Sequence, residues 1–207
     1  MKLLEDYIRA VCASRELGSE VAHRQDIPSR SARLAAIPSS LIPQLKSGLP
    51  KLNLAKLYIH QAEAIERVLA GEDVVVVTPT ASGKTLCYNV PVLNACAENP
   101  QARALYLFPI QALEQDQLGA FRELAGACGL ADRIEAEIYD GDTPGHKRRK
   151  IRNAPPSVII TNPDMLHVGM LAFHEKWEKF FSALLFYFFS VYFFNNGLCV
   201  ICYACML

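Results

Sequence analysis

The chain has 207 residues, 51% of them apolar, and 21 Lys and Arg balance 21 Asp and Glu for a formal net charge of zero. That length suits one domain with a real core and an N-terminal extension. The balanced charge advertises neither nucleic acid nor membrane, so any polyanion contact has to be local. Charges at Lys2, Glu5 and Asp6 interrupt the apolar core that a signal peptide needs, so a cytoplasmic protein with reduced cysteines is expected.

In chain order, residues 1–17 show an amphipathic helical pattern (Leu4, Tyr7, Ile8, Val11), and 19–50 are loop-rich with Pro28, Pro38, Pro43 and Pro50. One short helix is predicted around 41–47. Helix 60–70 carries Ala64, Ile65, Val68 and Leu69 on one face and stops at Gly71. Strand 74–77 and helix 84–97 follow, then strand 104–108 and helix 110–127. Next come strand 134–139, a basic helix near 145–152, strand 157–161 and a short helix to about 169. Alternating apolar strands and helices, with no hairpin signal in the core, predict an α/β fold with a parallel sheet covered on both faces.

Residues 78–85 read Thr-Pro-Thr-Ala-Ser-Gly-Lys-Thr, directly after the run Val74 to Val77. A strand, a turn of small residues and a helix let backbone N–H groups and a helix N-terminus face an anion. Thr80, Ala81, Ser82 and Gly83 would form the phosphate cradle. Lys84 would reach the β/γ-phosphates, and the Thr85 hydroxyl would ligate Mg²⁺. The strict pattern has Gly where this chain has Thr78, and a plain strand-to-helix turn is the alternative.

Five segments in order carry a resemblance: Leu57 to Ala64, Thr78 to Thr85, Leu107 to Gln117, Tyr139 to Pro144, and Thr161 to Leu166. Together they resemble the first RecA-like domain of a superfamily 2 helicase of the DEAD/DEAH-box type. Within it they are most similar to bacterial DNA helicases of the mitomycin-repair kind and their fungal relatives. The resemblance implies a RecA-like P-loop domain, ATP and Mg²⁺ as cofactors, and ATP-dependent unwinding of DNA in repair near the nucleoid. It implies that Gln61 reads the adenine edge and Tyr58 packs on the base. It also implies that Pro109, Gln111 and Gln115 touch a single strand's phosphates, alongside Gly141, Asp142 and Thr143 in a turn and Thr161, Asn162 and Pro163 at a strand end. Single-stranded or duplex DNA is the expected partner. The run His146 to Arg152 is either a DNA contact or a solvated basic face. The domains implied are a helical extension at 1–50, a partial ATP-binding domain at 51–184 and an apolar tail at 185–207.

The family's acidic Asp-Glu pair, which holds Mg²⁺ and positions water, has no counterpart, because no Asp or Glu follows Glu178. Its slots read Ser190-Val191, and a second RecA-like domain is not expected within these residues. Binding without hydrolysis is therefore expected of the chain. A non-catalytic nucleic-acid or helicase-partner module and a membrane-tethered P-loop protein are the alternatives. From Phe180 onward there are 28 residues without a charge. This stretch reads as an aberrant end, as a membrane anchor, or as the missing strand at Leu184–Phe189. Asn195-Asn196-Gly197 argues against an anchor, since it divides the apolar stretch and carries a turn signal. Cys12, Cys87, Cys96 and Cys128 are expected as small apolar fillers. Cys199, Cys202 and Cys205 lack the second ligand pair of a zinc site.

Overall fold

The computed structural model describes residues 2–23, 25, 31–79, 82–193 and 198–205. The chain divides into two compact units, Met1–Ala32 and Arg33–Leu207. The first holds helix α1 (Lys2–Ala13) and a 3-10 turn at Gly18–Glu20. Leu4 and Tyr7 on its apolar stripe are exposed, and so is Cys12, against the expectation that this cysteine fills a core.

The second unit opens with a two-stranded antiparallel strap, β1 (Leu34–Ala35) with β2 (Leu57–Tyr58), interrupted by α2 (Pro43–Gly48) and a 3-10 turn at Leu49–Leu52. Residues 33–52 belong to this unit although the pattern put the domain boundary at 50. Leu41, Leu45 and Leu49 are in its core, and Ile42 N–H donates to Asn94 Oδ1 at 2.8 Å.

After the strap, α3 (Ile59–Leu69), β3 (Val75–Pro79), α4 (Thr85–Glu98), β4 (Arg103–Leu107) and α5 (Gln111–Ala127) alternate. They are followed by β5 (Ala136–Ile138), α6 (Gly145–Asn153), β6 (Val158–Thr161) and α7 (Pro163–Met165). A π-turn at Leu166–Met170, a 3-10 segment at Leu171–Trp177 and α8 (Glu178–Phe181) lead to β7 (Leu184–Phe193) and β8 (Leu198–Cys205). These strands form one sheet in the order β3-β8-β7-β4-β6-β5.

β5, β6, β4 and β7 pair in parallel. They are apolar on both sides because helices cover both faces. On β4, Ala104 and Tyr106 enter the core under α2 to α5, whereas Leu105 and Leu107 enter a second core with Ile151, Met170, Trp177 and Phe180. The fold expected from the pattern is therefore present. One strand departs from it: β8 runs antiparallel between β3 and β7. Only residues 194–197 separate it from β7, too few for the crossover of a dozen or more residues that a parallel pairing demands.

Within the charge-free stretch, Leu184–Phe193 and Leu198–Cys205 are thus sheet. Among the described residues no helix is long and apolar enough to cross a membrane. Phe188, 1% exposed, stacks on Tyr88 with ring centroids 4.0 Å apart and meets Tyr106 and Phe108. Phe188→Ala should therefore lower the unfolding free energy by about 3–5 kcal/mol in urea titration.

Candidate functional site

The strap delivers the first site residues. Ile59 N–H donates to Arg33 O, which fixes where α3 begins. Two residues on, the Gln61 side chain is 2% exposed and its amide is doubly used. Oε1 accepts from Tyr58 N–H at 2.9 Å, and Nε2 donates to Gly83 O at 2.9 Å. One hydrogen and one lone pair of the amide are left over. Gly83 has φ +73°, and a Cβ there would stand 2.4 Å from Gln61 Nε2. The positive φ favours glycine, and a Cβ would push the Gln61 amide off the carbonyl it holds. Tyr58 is exposed and stacks on His60, whose Nε2 lies 3.2 Å from Ser82 O. One end of α3 is therefore tied twice to the loop before α4.

Lys84 closes that loop. Its ammonium donates to Pro79 O at 2.7 Å and Thr78 O at 2.9 Å, and lies 3.2 Å from Ser82 Oγ and 3.3 Å from Thr78 Oγ1. Lys84 is buried, all four partners are neutral oxygens, and among the described residues no carboxylate pairs with it. A buried cation without a counter-charge is costly, so the cradle is electrostatically built for an anion. Thr85 opens the 14-residue α4, whose dipole points the same way. Thr80 and Ala81, expected in the cradle, lie outside the described residues. Clefts of about 350 Å³, bordered by His60 and Thr78, and about 500 Å³, bordered by Thr85, Leu86 and Asn89, flank the loop.

A second group of predicted residues gathers at the C-terminal ends of β4, β5 and β6, where parallel sheets present ligand sites. Pro109, Gln111, Gln115, Gly141, Asp142 and Pro163 are exposed there. α5 starts without a side-chain cap, and although Leu113 N–H donates to Ile110 O, the Gln111 and Ala112 N–H groups before it are left for an anion. The amide of Gln111 donates to Asp140 Oδ2 and to Asp142 Oδ2, each at 2.8 Å. The Thr143 and Thr161 hydroxyls, expected to face a phosphate, are buried. Thr143 donates to Asp140 Oδ1 at 2.6 Å, and Thr161 donates to Tyr139 O. Asn162 caps α7 through Oδ1 and donates from Nδ2 to Glu114 Oε1 at 3.2 Å.

Three further residues of this edge, Asp140, Arg148 and Glu114, lie within the segments or the basic run quoted above but outside the set of expected site residues. Burial pushes Asp140 upward, but hydrogen bonds from Thr143 and Gln111 outweigh it and hold the carboxyl below its ordinary value. Arg148 donates to the Asp140 and Gly141 carbonyls and Lys147 pairs with Glu137 at 2.7 Å, so part of the basic run is structural. Glu114 is fully buried, and its Oε2 finds no partner among the described residues. Burial pushes its carboxyl up to about 7, the Asn162 hydrogen bond opposing and the Asp140 charge adding to the rise. Elsewhere, burial pushes the Cys87 and Cys96 thiols up to about 12, in keeping with packing roles.

The sequence profile of DEAD/DEAH box helicases matches residues 58–187. The chain belongs to this helicase family. It is 44% identical over 164 residues to the uncharacterised ATP-dependent helicase YprA of Bacillus subtilis, covering 79% of this chain and 22% of YprA. It is 36% identical over 166 residues to the ATP-dependent helicase HRQ1 of Saccharomyces cerevisiae, covering 80% of this chain and 15% of HRQ1. A structure of the DUF1998 helicase MrfA bound to DNA and AMPPNP superposes with a TM-score of 0.73 at 42% identity, covering 83% of this chain and 24% of MrfA. The chain thus spans less than a quarter of the length of these relatives.

Two outcomes follow for this helicase domain. Gly83→Ala should abolish detectable nucleotide binding by calorimetry while leaving far-ultraviolet dichroism intact, because the strain is confined to the loop. Glu114 has a folded pKa above its unfolded value, so its stability contribution is whole below about pH 4.5 and lost as pH rises through about 7. Glu114→Gln should therefore raise the melting temperature at pH 8, by on the order of 3 kcal/mol in stability, and change it little near pH 4.5.

Proposed function

We propose that this chain is the ATP-binding RecA-like part of a DNA helicase that acts in DNA repair, and that as it stands it binds nucleotide without hydrolysing it. The observation that carries the first half is the buried Lys84 ammonium, held only by neutral oxygens at the start of α4. A triphosphate would exchange those carbonyls for anionic oxygens and so supply the counter-charge that the buried ammonium lacks. Gly83 N–H and the first turn of α4 would hold the β-phosphate, and Gln61 and Tyr58 lie on the side from which a base would approach. Mg²⁺ takes hard oxygen donors, of which the Thr85 hydroxyl stands at the start of α4, and would arrive on the nucleotide's phosphates to neutralise their charge.

The sheet register supports the second half. Across β8, Val77 pairs with Val200 and Pro79 with Leu198, while Val191 pairs with Val200 and Phe193 with Leu198. The end of β7 is therefore level with the start of the phosphate loop, two strand spacings or about 10 Å away. Water activation needs a carboxylate on that side, and residues 190–193 read Ser-Val-Tyr-Phe. DNA is proposed to lie across the ends of β4, β5 and β6, its phosphates on the uncapped N-terminus of α5. The likeness to MrfA, whose structure was solved with DNA, supports this placement, and the likeness to mitomycin-repair helicases supports the repair role.

Fluorescent ATP titrated into the purified chain with Mg²⁺ should bind saturably. Lys84→Ala should weaken binding at least tenfold, the equivalent of about 1.4 kcal/mol. Phosphate release should stay at the buffer rate with and without single-stranded DNA. Turnover that Lys84→Ala abolishes would overturn the claim of binding without hydrolysis, and equal affinity in both proteins would remove the loop from the nucleotide site.

A further inference from the structure

Glu114 is an uncommon placement: an acid in the first turn of α5, completely buried, with one carboxylate oxygen bonded to Asn162 and the other without a partner among the described residues. It lies under the strand ends where the proposed DNA site is built, and it joins two of the three segments there. Gln111 on the same turn joins the third through Asp140 and Asp142. The facing groups can be taken element by element. α5 itself contributes Gln111, while its exposed Asp116, two residues beyond Glu114, is turned away. The turn after β5 contributes Asp140 and Asp142, and α6 contributes Arg148, whose guanidinium is spent on the Asp140 and Gly141 carbonyls. The loop after β6 contributes the neutral Asn162 amide and, beyond it, Asp164. Of these charges, Asp140 is the one that acts on Glu114, and it acts against ionisation.

Among the described residues no cation is therefore in place to stabilise the ionised form. A phosphodiester on the open N-terminus of α5 would bring a further negative charge within a turn of the buried carboxyl, in surroundings where screening is weak. The neutral carboxylic acid tolerates that neighbour and the carboxylate does not.

We propose that Glu114 is a positioning residue that takes up a proton when single-stranded DNA engages α5, so that strand capture and protonation of this carboxyl are one coupled event. The inference rests on the DNA site proposed above. The proton comes from solvent, adds to a Glu114 carboxylate oxygen and returns to solvent when the strand leaves. No bond other than this O–H forms or breaks. Because Glu114 is already poised near neutrality, the coupling operates in the physiological range.

The test uses the full chain and a short fluorescein-labelled single-stranded oligonucleotide. Anisotropy gives the Kd from about pH 6 to about pH 8.5, and calorimetry in phosphate and in Tris gives the protons exchanged on binding. The expected result is affinity about tenfold weaker at the alkaline end, as a one-unit rise in a single pKa on binding requires, with net proton uptake near neutral pH. Glu114→Gln is isosteric and permanently neutral. It should bind as tightly as the wild type does at low pH, with a flattened profile and the uptake removed. The histidines, His146 nearest in sequence to the turn among them, are the same in both proteins, so the difference between the two profiles belongs to Glu114. Identical profiles and identical proton uptake in the two proteins would overturn this inference and leave the DNA site standing. Absence of binding at every pH and low salt would remove the DNA site itself.

Discussion

Much of this domain's organisation depends on the Gln61 amide. It is the piece through which the strap β1–β2, the start of α3 and the phosphate loop become one body. A main-chain carbonyl in a loop of small residues has few ways to be fixed, because the side chains around it are too short to brace it. Gln61 does so from outside the loop, and it can come that close only because Gly83 carries no Cβ. Once Gly83 is held, the direction of Lys84 follows, and with it the cluster of carbonyls and hydroxyls that keeps the ammonium out of water. Recognition of a base and recognition of phosphates would therefore not be separate acts, since both draw on one side chain.

The opposite edge of the site is organised by a different logic. There, each strand end is polar, and apart from Glu114 Oε2 and Arg148 Nε the buried polar groups described above satisfy one another. Asp140 collects Thr143 and Gln111, Arg148 collects two carbonyls, and Asn162 serves two partners at once. The surface that remains for a ligand is mostly backbone, the uncapped turn of α5 and the exposed Gly141. Such a surface suits a phosphate chain read without regard to sequence.

How much of this could be read from the residues depended on range. Segments whose signal is local were legible: the Val74 to Val77 run, the Gly-Lys-Thr turn and the helices α3 to α6 lie where the pattern puts them, within a residue or two. By contrast, α1 stops at Ala13 although its pattern runs on to residue 17. The loop-rich stretch before residue 50 was less so. Leu41, Leu45 and Leu49 look like an isolated helix face in sequence, and only the tertiary structure makes them core. The antiparallel β8 was half legible. The Asn-Gly turn signal and the short spacing after β7 argue for a hairpin, while a charge-free composition hides where that hairpin belongs in the sheet. Glu114 was invisible, because an acid at the start of a helix ordinarily sits in solvent near the dipole. Its burial is set by Asn162, 48 residues further on. Thr143 and Thr161 misled for a related reason: a hydroxyl in a motif says nothing about which way it turns until its neighbours are known.

The dipeptide Asn162-Pro163 has a consequence for how the domain ages. Asparagine side chains are lost slowly in all proteins when the following backbone nitrogen attacks the amide and closes a five-membered imide. Proline's ring nitrogen carries no hydrogen, so that route is blocked at Asn162. The protection falls where it matters, because hydrolysis to aspartate would set a second carboxylate against Glu114, in place of the amide hydrogen that now joins them. The proline that starts α7 thus also preserves the chemical identity of its cap over the lifetime of the protein.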